Sequence, residues 1–271
     1  MRPIIFSGLW LLATTSVALS APALNNVSVC PYSGTLPLDI PDADSSDVLD
    51  INLHNSRVQI EGVKGLTKST GLIIVCASSL SLAKTLILET GHGLFNPHTL
   101  ILRVATTNHV YVSPSDGNKP FAYVEMQLRV PDTLAVKIKS SSGSVTAANI
   151  AALRVKSDSG NITAMHISGL FRVTSNAGTI QAQDVGAVKL IKVGSGDVDL
   201  SDVADDVKIW SLGSGPLNIK NVQGNVIIDK TGTGSVQVND VNGSFTVKHK
   251  GNGAITYANV KNGVSVPNSA G

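Results

Sequence analysis

Four aspartates crowd one stretch of the chain, Asp199, Asp202, Asp205 and Asp206, with Lys189, Lys192 and Lys208 near them in sequence. Clustered acids, or an acid beside a cation, are what cleavage of a sugar polymer needs. One group protonates the leaving oxygen while another withdraws a proton or attacks. An extracellular polysaccharide lyase or hydrolase is therefore the enzyme reading. The plainer reading is a solvated turn, because charged side chains occupy the surface by default. Aromatic residues that would stack on sugar rings are few, at 4% of the chain. The late part offers only Phe171, Trp210, Phe245 and Tyr257.

Other chemistry is harder to build. Gly194-Ser195-Gly196-Asp197-Val198-Asp199-Leu200 has the look of half a calcium-binding Gly/Asp repeat, but the acidic pair occurs once and does not recur. The six histidines, His54, His92, His98, His109, His166 and His249, lack zinc-ligand spacing. Gly232-Thr233-Gly234 precedes no helical pattern, so it reads as a corner and not as a phosphate loop. No catalytic residue, no cofactor site and no metal site is predicted.

What positions all these residues is a repeat. Glycine recurs at Gly143, Gly160, Gly178, Gly196, Gly215, Gly234 and Gly253, at intervals of 17, 18, 18, 19, 19 and 19 residues. A period near twenty marks a solenoid. Two places after each glycine stand Val145, Ile162, Ile180, Val198, Leu217, Val236 and Ile255; four places after, Ala147, Ala164, Ala182, Leu200, Ile219, Val238 and Tyr257. Between them lies a polar column: Thr146, Thr163, Gln181, Asp199, Asn218, Gln237 and Thr256. That is the alternation of a strand with one face buried. Seven places after each glycine the column is again apolar: Ile150, Ile167, Val185, Val203, Val222, Val241 and Val260.

Just before that last column stand Asn149, His166, Asp184, Asp202, Asn221, Asp240 and Asn259. They could form a row of cation or sugar ligands. The favoured reading is a turn ladder, because short polar side chains satisfy the backbone where it bends. A second strand follows in each repeat, as in Leu153–Val155, Val207–Ile209, Val226–Ile228 and Phe245–Val247. Glycine at the corner suits a positive φ or a close approach of backbone to backbone. The outward threonines are interrupted mid-array, which sets aside an ice-binding face.

The N-terminus reads as a secretory leader over residues 1–20: Arg2 supplies the positive end, Leu9–Ala13 the apolar centre, and Ala18 and Ser20 the small residues before the cut. The expected localisation is secreted, with no membrane span once the leader is gone. In an oxidising compartment Cys30 and Cys76 are expected to form a disulfide. Asn26, Asn161 and Asn242 each open an N-glycosylation pattern. The net charge of +2 is spread over both signs, and nothing marks a nucleic-acid surface. Residues 21–47, rich in proline and aspartate, read as an irregular lead-in or cap. Residues 48–266 read as the solenoid, regular over 140–264, and 267–271 as a polar tail. Strand candidates before the regular part include Leu72–Ala77, Leu100–Val104, Val110–Val112 and Val124–Val130, expected as longer irregular coils of the same solenoid.

The run Val124–Pro131, then Leu134–Lys139, then Ser-Ser-Gly-Ser-Val at 141–145 with its later echoes, resembles a known family. It is similar to the β-helical domain called "putative adhesin", related to the auto-transporter adhesin head, over roughly residues 48–264. The resemblance implies a surface or extracellular interaction role and brings no catalytic residues with it. The reading is thus an all-β, single parallel β-helix, right-handed, of about seven regular coils of 17–19 residues with irregular N-terminal coils or a cap. Its leading function is a non-catalytic, adhesin-like module that binds a glycan or protein. A polysaccharide lyase or hydrolase, and a structural wall or coat component, are the alternatives.

Overall fold

The computed structural model describes residues 2–4, 30–40, 48–53, 56–92, 99–106 and 120–268. From residue 145 on, each coil contributes one strand to each of two parallel stacks. The first sheet takes Val145–Ile150, the leading halves of Ile162–Ser175 and Ile180–Val193, then Val198–Val203, Leu217–Val222, Val236–Val241 and Ile255–Val260. The second takes Ala152–Ser157, the trailing halves of the two long strands, then Val207–Ile209, Val226–Lys230, Phe245–His249 and Val264–Ser265. Every strand in this region pairs in parallel with its counterpart one coil away. The result is the expected all-β parallel solenoid, with about seven regular turns and an irregular N-terminal region.

The register fixes the core. Val198, Leu217, Val236 and Ile255 stand one above another, as do Leu200, Ile219, Val238 and Tyr257. All three apolar columns are buried from residue 145 to Val241. The last coil departs from the expectation. Tyr257, assigned to an inward column, is 51% exposed because its strand is paired on one side only among the described residues, and its ring tilts against Phe245 at 6.0 Å.

Two corner devices explain the period. Among the described residues, the only non-glycine positions with positive φ are Asn149, His166, Asp184, Asp202, Asn221, Asp240 and Asn259, at 53–58°. This is the polar column read as a turn ladder. A left-handed residue kinks the strand so that the following Ile or Val still points inward. Asn and Asp accept that conformation more readily than other side chains. The recurring glycines mostly serve close approach. A Cβ on Gly196 would lie 1.7 Å from the carbonyl oxygen of Gly178, and one on Gly215 would lie 2.0 Å from that of Gly196. Coils stack there through bare backbone.

The N-terminal half is more mixed than a run of irregular coils. Val48–Asn52 lies between Thr99–Thr106 and Ala135–Ser140, and Arg57–Val63 lies between Ala122–Pro131 and Val145–Ile150. The coil of Val48–Asn52 and Arg57–Val63 is therefore inserted, out of chain order, between a coil built from Thr99–Thr106 and Ala122–Pro131 and the coil of Ala135–Ser140 and Val145–Ile150. Ser56 takes the place of the missing glycine, since a Cβ on Gly143 would meet its carbonyl oxygen at 1.5 Å. Beyond these coils the chain turns antiparallel. Tyr32–Ile40 pairs with Ser69–Ala77, which pairs with Ala122–Pro131, and Leu86–His92 pairs with Thr99–Thr106. These strands cap the open end of both sheets. Arg2–Ile4 adds a short antiparallel strand on Leu86–His92. The expected strand at Val110–Val112 lies outside the described residues.

Cys30 and Cys76 are bridged, with Cα atoms 5.7 Å apart, which ties the segment before the first cap strand to the end of its partner. The bond closes a loop with a sequence separation of 46. Loop-closure entropy then makes Cys76→Ser cost about 4 kcal/mol. Guanidinium melts of the wild type with and without reductant, beside the variant, check this: reduction is expected to bring the wild type to the variant's midpoint.

Candidate binding surface

The four aspartates that suggested catalysis are not gathered into one site. Asp199 projects from the first sheet, Asp202 is a left-handed corner residue, and Asp205 and Asp206 lie in the turn before Val207. Three of them are met by an amide from the next coil. Asn218 Nδ2 donates to Asp199 Oδ1 at 2.8 Å, Asn221 Nδ2 to Asp202 Oδ1 at 2.7 Å, and Asn225 Nδ2 to Asp206 Oδ1 at 3.1 Å. Asp205 Oδ1 accepts from the backbone N–H of Asp206. The pattern recurs elsewhere, with Asn176 donating to Asp158 and Asn259 to Asp240. An aspartate in one coil and an asparagine above it form a rung of a side-chain ladder. Each of these carboxylates accepts an amide hydrogen bond along its own column, and Asp202 follows Asp184, at the same corner position one coil earlier.

Asp206 shows the electrostatic outcome. The backbone N–H of Asn225, 2.8 Å away, holds its carboxyl below the usual carboxylate range, with further lowering from Lys208 and the Asn225 amide against a smaller opposing effect of burial. A general acid would need the opposite shift. Because the folded-state pKa is depressed, the contact stabilises the fold above the unfolded value near 3.9 and is lost as pH falls through the lower folded one. Asp206→Ala is expected to cost about 1 kcal/mol near neutrality. The gap to wild type should narrow once the pH drops below about 4, as read from urea melts across the acid range. Among the described residues no group of three or more His, Cys, Asp and Glu is placed to hold a metal ion. The Gly194–Leu200 stretch forms an ordinary corner and strand.

What the first sheet does offer is a broad open groove of about 660 Å³ on its outer face. One wall is the outward column Thr163, Gln181, Asp199, Asn218 and Gln237; the other is Met165, Gln183, Ser201, Lys220 and Asn239. Both come from strand alternation: the residues between them point into the core. The first of these columns was noted in the sequence; the second was not, although its members lie two residues further along. Amide, hydroxyl and carboxylate groups thus recur at the strand spacing of about 4.8 Å. The corner ladder borders the groove, with Gln183 Nε2 3.4 Å from Asp202 Oδ2.

Asn161 is exposed, and its Oδ1 accepts from the Thr179 backbone N–H at 3.0 Å, which leaves Nδ2 outward. Asn242 is part-buried and donates from Nδ2 to Gln223 Oε1. Asn26 lies outside the described residues.

This architecture has known counterparts. The sequence profile of the family Toastrack DUF4097 matches residues 32–201 and, in a second overlapping alignment, 83–263, and the chain belongs to that family. Two overlapping alignments are what a repeat produces when it is laid on itself one or more coils out of step. A "putative adhesin" of Bacteroides fragilis shares the fold at 14% identity and a TM-score of 0.52, over 87% of this chain and 98% of that one. A "putative cell adhesion protein" of Clostridium sporogenes matches at 12% identity and 0.38, over 73% and 99%. A "putative lipid binding protein" of Parabacteroides distasonis matches at 14% and 0.41, over 86% and 97%. No curated protein is similar to this chain in sequence. No helix among the described residues is long and apolar enough to cross a membrane.

Proposed function

We propose that the chain is a secreted, adhesin-like, non-catalytic module whose first sheet binds a glycan through its outer groove. The observation that carries the reading is the regular double column, mostly amides and hydroxyls with Asp199, Lys220 and Met165 among them, lining an open groove of about 660 Å³. Uncharged polar groups at fixed spacing complement the hydroxyls of a sugar chain, and a shallow open face admits a polymer from the side. Aspartates engaged by amide donors in separate columns favour binding over hydrolysis or elimination. In this reading residues 1–20 are a leader removed on export, which would take Arg2–Ile4 off the edge of Leu86–His92. Residues 48–266 are the working domain, and Asn26, Asn161 and Asn242 are available for glycosylation.

A glycan array probed with the mature protein tests the proposal. Binding of at least one neutral oligosaccharide series is expected, with a loss of roughly tenfold or more when Gln181 and Asn218 are both changed to alanine, since two hydrogen-bonding side chains are removed from the site. No ligand on the array, or a ligand indifferent to these two residues, would count against it. N-terminal sequencing of the exported protein checks the cleavage after Ser20.

A further inference from the structure

The second sheet turns a line of cations outward. Lys137, Arg154, Arg172, Lys189 and Lys208 hold the same register position in five successive strands. With strands about 4.8 Å apart, the five follow one line roughly 19 Å long. Two residues further along, Lys139 and Lys156 continue through Thr174, and across a one-residue register shift to Lys192, in a parallel line. Both lines face away from the core, because Ile138, Val155 and Val173 between them are buried.

Acidic partners occur only at the ends of the first line. Asp50 pairs with Lys137, and Asp206 lies 3.2 Å from Lys208. Between them Arg154, Arg172 and Lys189 have no carboxylate within 4 Å among the described residues, and neither have Lys139, Lys156 and Lys192. The acids sit elsewhere: Asp199 projects from the first sheet, and Asp184, Asp202 and Asp240 stand at its corners. The stretch from Arg154 to Lys189 is therefore a run of cations without carboxylate partners, on a chain whose net charge is only +2. Like charges placed side by side on a sheet destabilise it unless something neutralises them.

We propose that this second face binds a linear acidic polysaccharide laid along the solenoid axis, its carboxylates or sulfates meeting successive rungs. Charge complementarity with a line of unpaired cations requires a polyanion. The face is flat, with no helix or ribbon to enter a nucleic-acid groove. It lacks the row of aromatic rings that single-stranded bases need. Trp210, 49% exposed and one residue past Ile209, is the single large ring at its far end, suited to the apolar face of one sugar. No amphipathic helix is present among the described residues to enter a bilayer. The surface is distinct from the groove of the first sheet. Only the choice of a glycan among polyanions rests on the extracellular setting proposed above.

The test is binding of the mature full chain to immobilised polygalacturonate and dextran sulfate. Plain dextran, duplex DNA and phosphatidylserine vesicles serve as comparisons, at low and at physiological salt. Both acidic glycans are expected to bind, and plain dextran is not. Affinity should fall with salt, and the double variant Arg154→Gln, Lys189→Gln should bind at least roughly tenfold more weakly with a log–log salt slope shallower by about 2. Lys261→Gln, at an exposed turn outside both faces, should leave binding intact. Arg172→Gln alone provides a second, milder variant, with a slope change of about 1, should the double variant fold poorly. The proposal is overturned if neither acidic glycan binds at low salt, if binding ignores salt or these substitutions, if Lys261→Gln weakens it equally, or if DNA or vesicles bind more tightly. A neutral ligand on the array together with failure here would leave the first-sheet reading standing, and the converse also holds.

Discussion

Gly215→Val, at a buried corner between stacked coils, is expected to lower the melting temperature by about 8 °C or more. Even the Cβ of the new side chain would sit 2.0 Å from the carbonyl oxygen of Gly196, and neither atom belongs to a flexible side-chain end. The two coils would have to part. That breaks parallel hydrogen bonds such as Ser214 N–H to Gly194 O, which runs directly beside the contact. A cost of at least about 4 kcal/mol follows from overpacking combined with lost backbone pairing. For a chain of this size that corresponds to a fall of about 8 °C or more. Gly263→Ala is the control. Its Cβ would meet nothing within 4 Å, although φ is +98°, so only local backbone strain of about 1–2 kcal/mol is expected. Circular dichroism melts distinguish the two, and equal melting temperatures would dismiss the glycine ladder as the stacking device.

The second large effect is expected at Phe171. It is fully buried in the second sheet, in register with Leu153 on one side and Val188 on the other. Phe171→Ala removes one of the two buried aromatic rings among the described residues and leaves a cavity walled by stacked coils that cannot close without shifting register. The expected cost is about 3–5 kcal/mol. Tyr257→Ala, at the open end and 51% exposed, should cost well under half of that. Urea denaturation of both variants gives the comparison, and similar midpoints would contradict the assignment of the core.

The regular half of this fold was readable because its constraints are local and repeated. A glycine marks where backbone stacks on backbone, three apolar columns mark the interior, and a column of Asn, Asp and one His marks the left-handed corner. Each signal appears seven times, so accidents average out. The end coil was misjudged because burial in a solenoid depends on a neighbour above. Tyr257 satisfies the pattern, yet nothing covers it. The insertion of residues 48–63 between two later coils was not legible either, since chain order carries no information about which coil a strand will join. Ser56 in the glycine position gave little away.

Function was harder to see, and for the same reason in each case: nearness along the chain is not nearness in a coil. Asp199, Asp202 and Asp206 are neighbours in sequence and stand in three different columns. Their true partners are nineteen residues away, at Asn218, Asn221 and Asn225. Shifting the sequence by one period and looking for Asp over Asn would have revealed the ladders. The cations suffered the opposite error. Scattered one per repeat, Lys137, Arg154, Arg172, Lys189 and Lys208 read as ordinary interspersed charge, whereas the register collects them into a line.

Both proposed surfaces exist only if residues one period apart occupy adjacent rungs. A distance measurement between spin labels on Thr163→Cys and Gln237→Cys tests this directly, with the native disulfide left in place. The two positions are separated by 74 residues of sequence but by four steps of parallel register, through Gln181, Asp199 and Asn218. A narrow distribution centred at about 19 Å, widened by a few ångströms for the label arms, is the expected result. A broad distribution, or a peak beyond about twice that separation, would contradict the stack, and both binding faces would lose their basis.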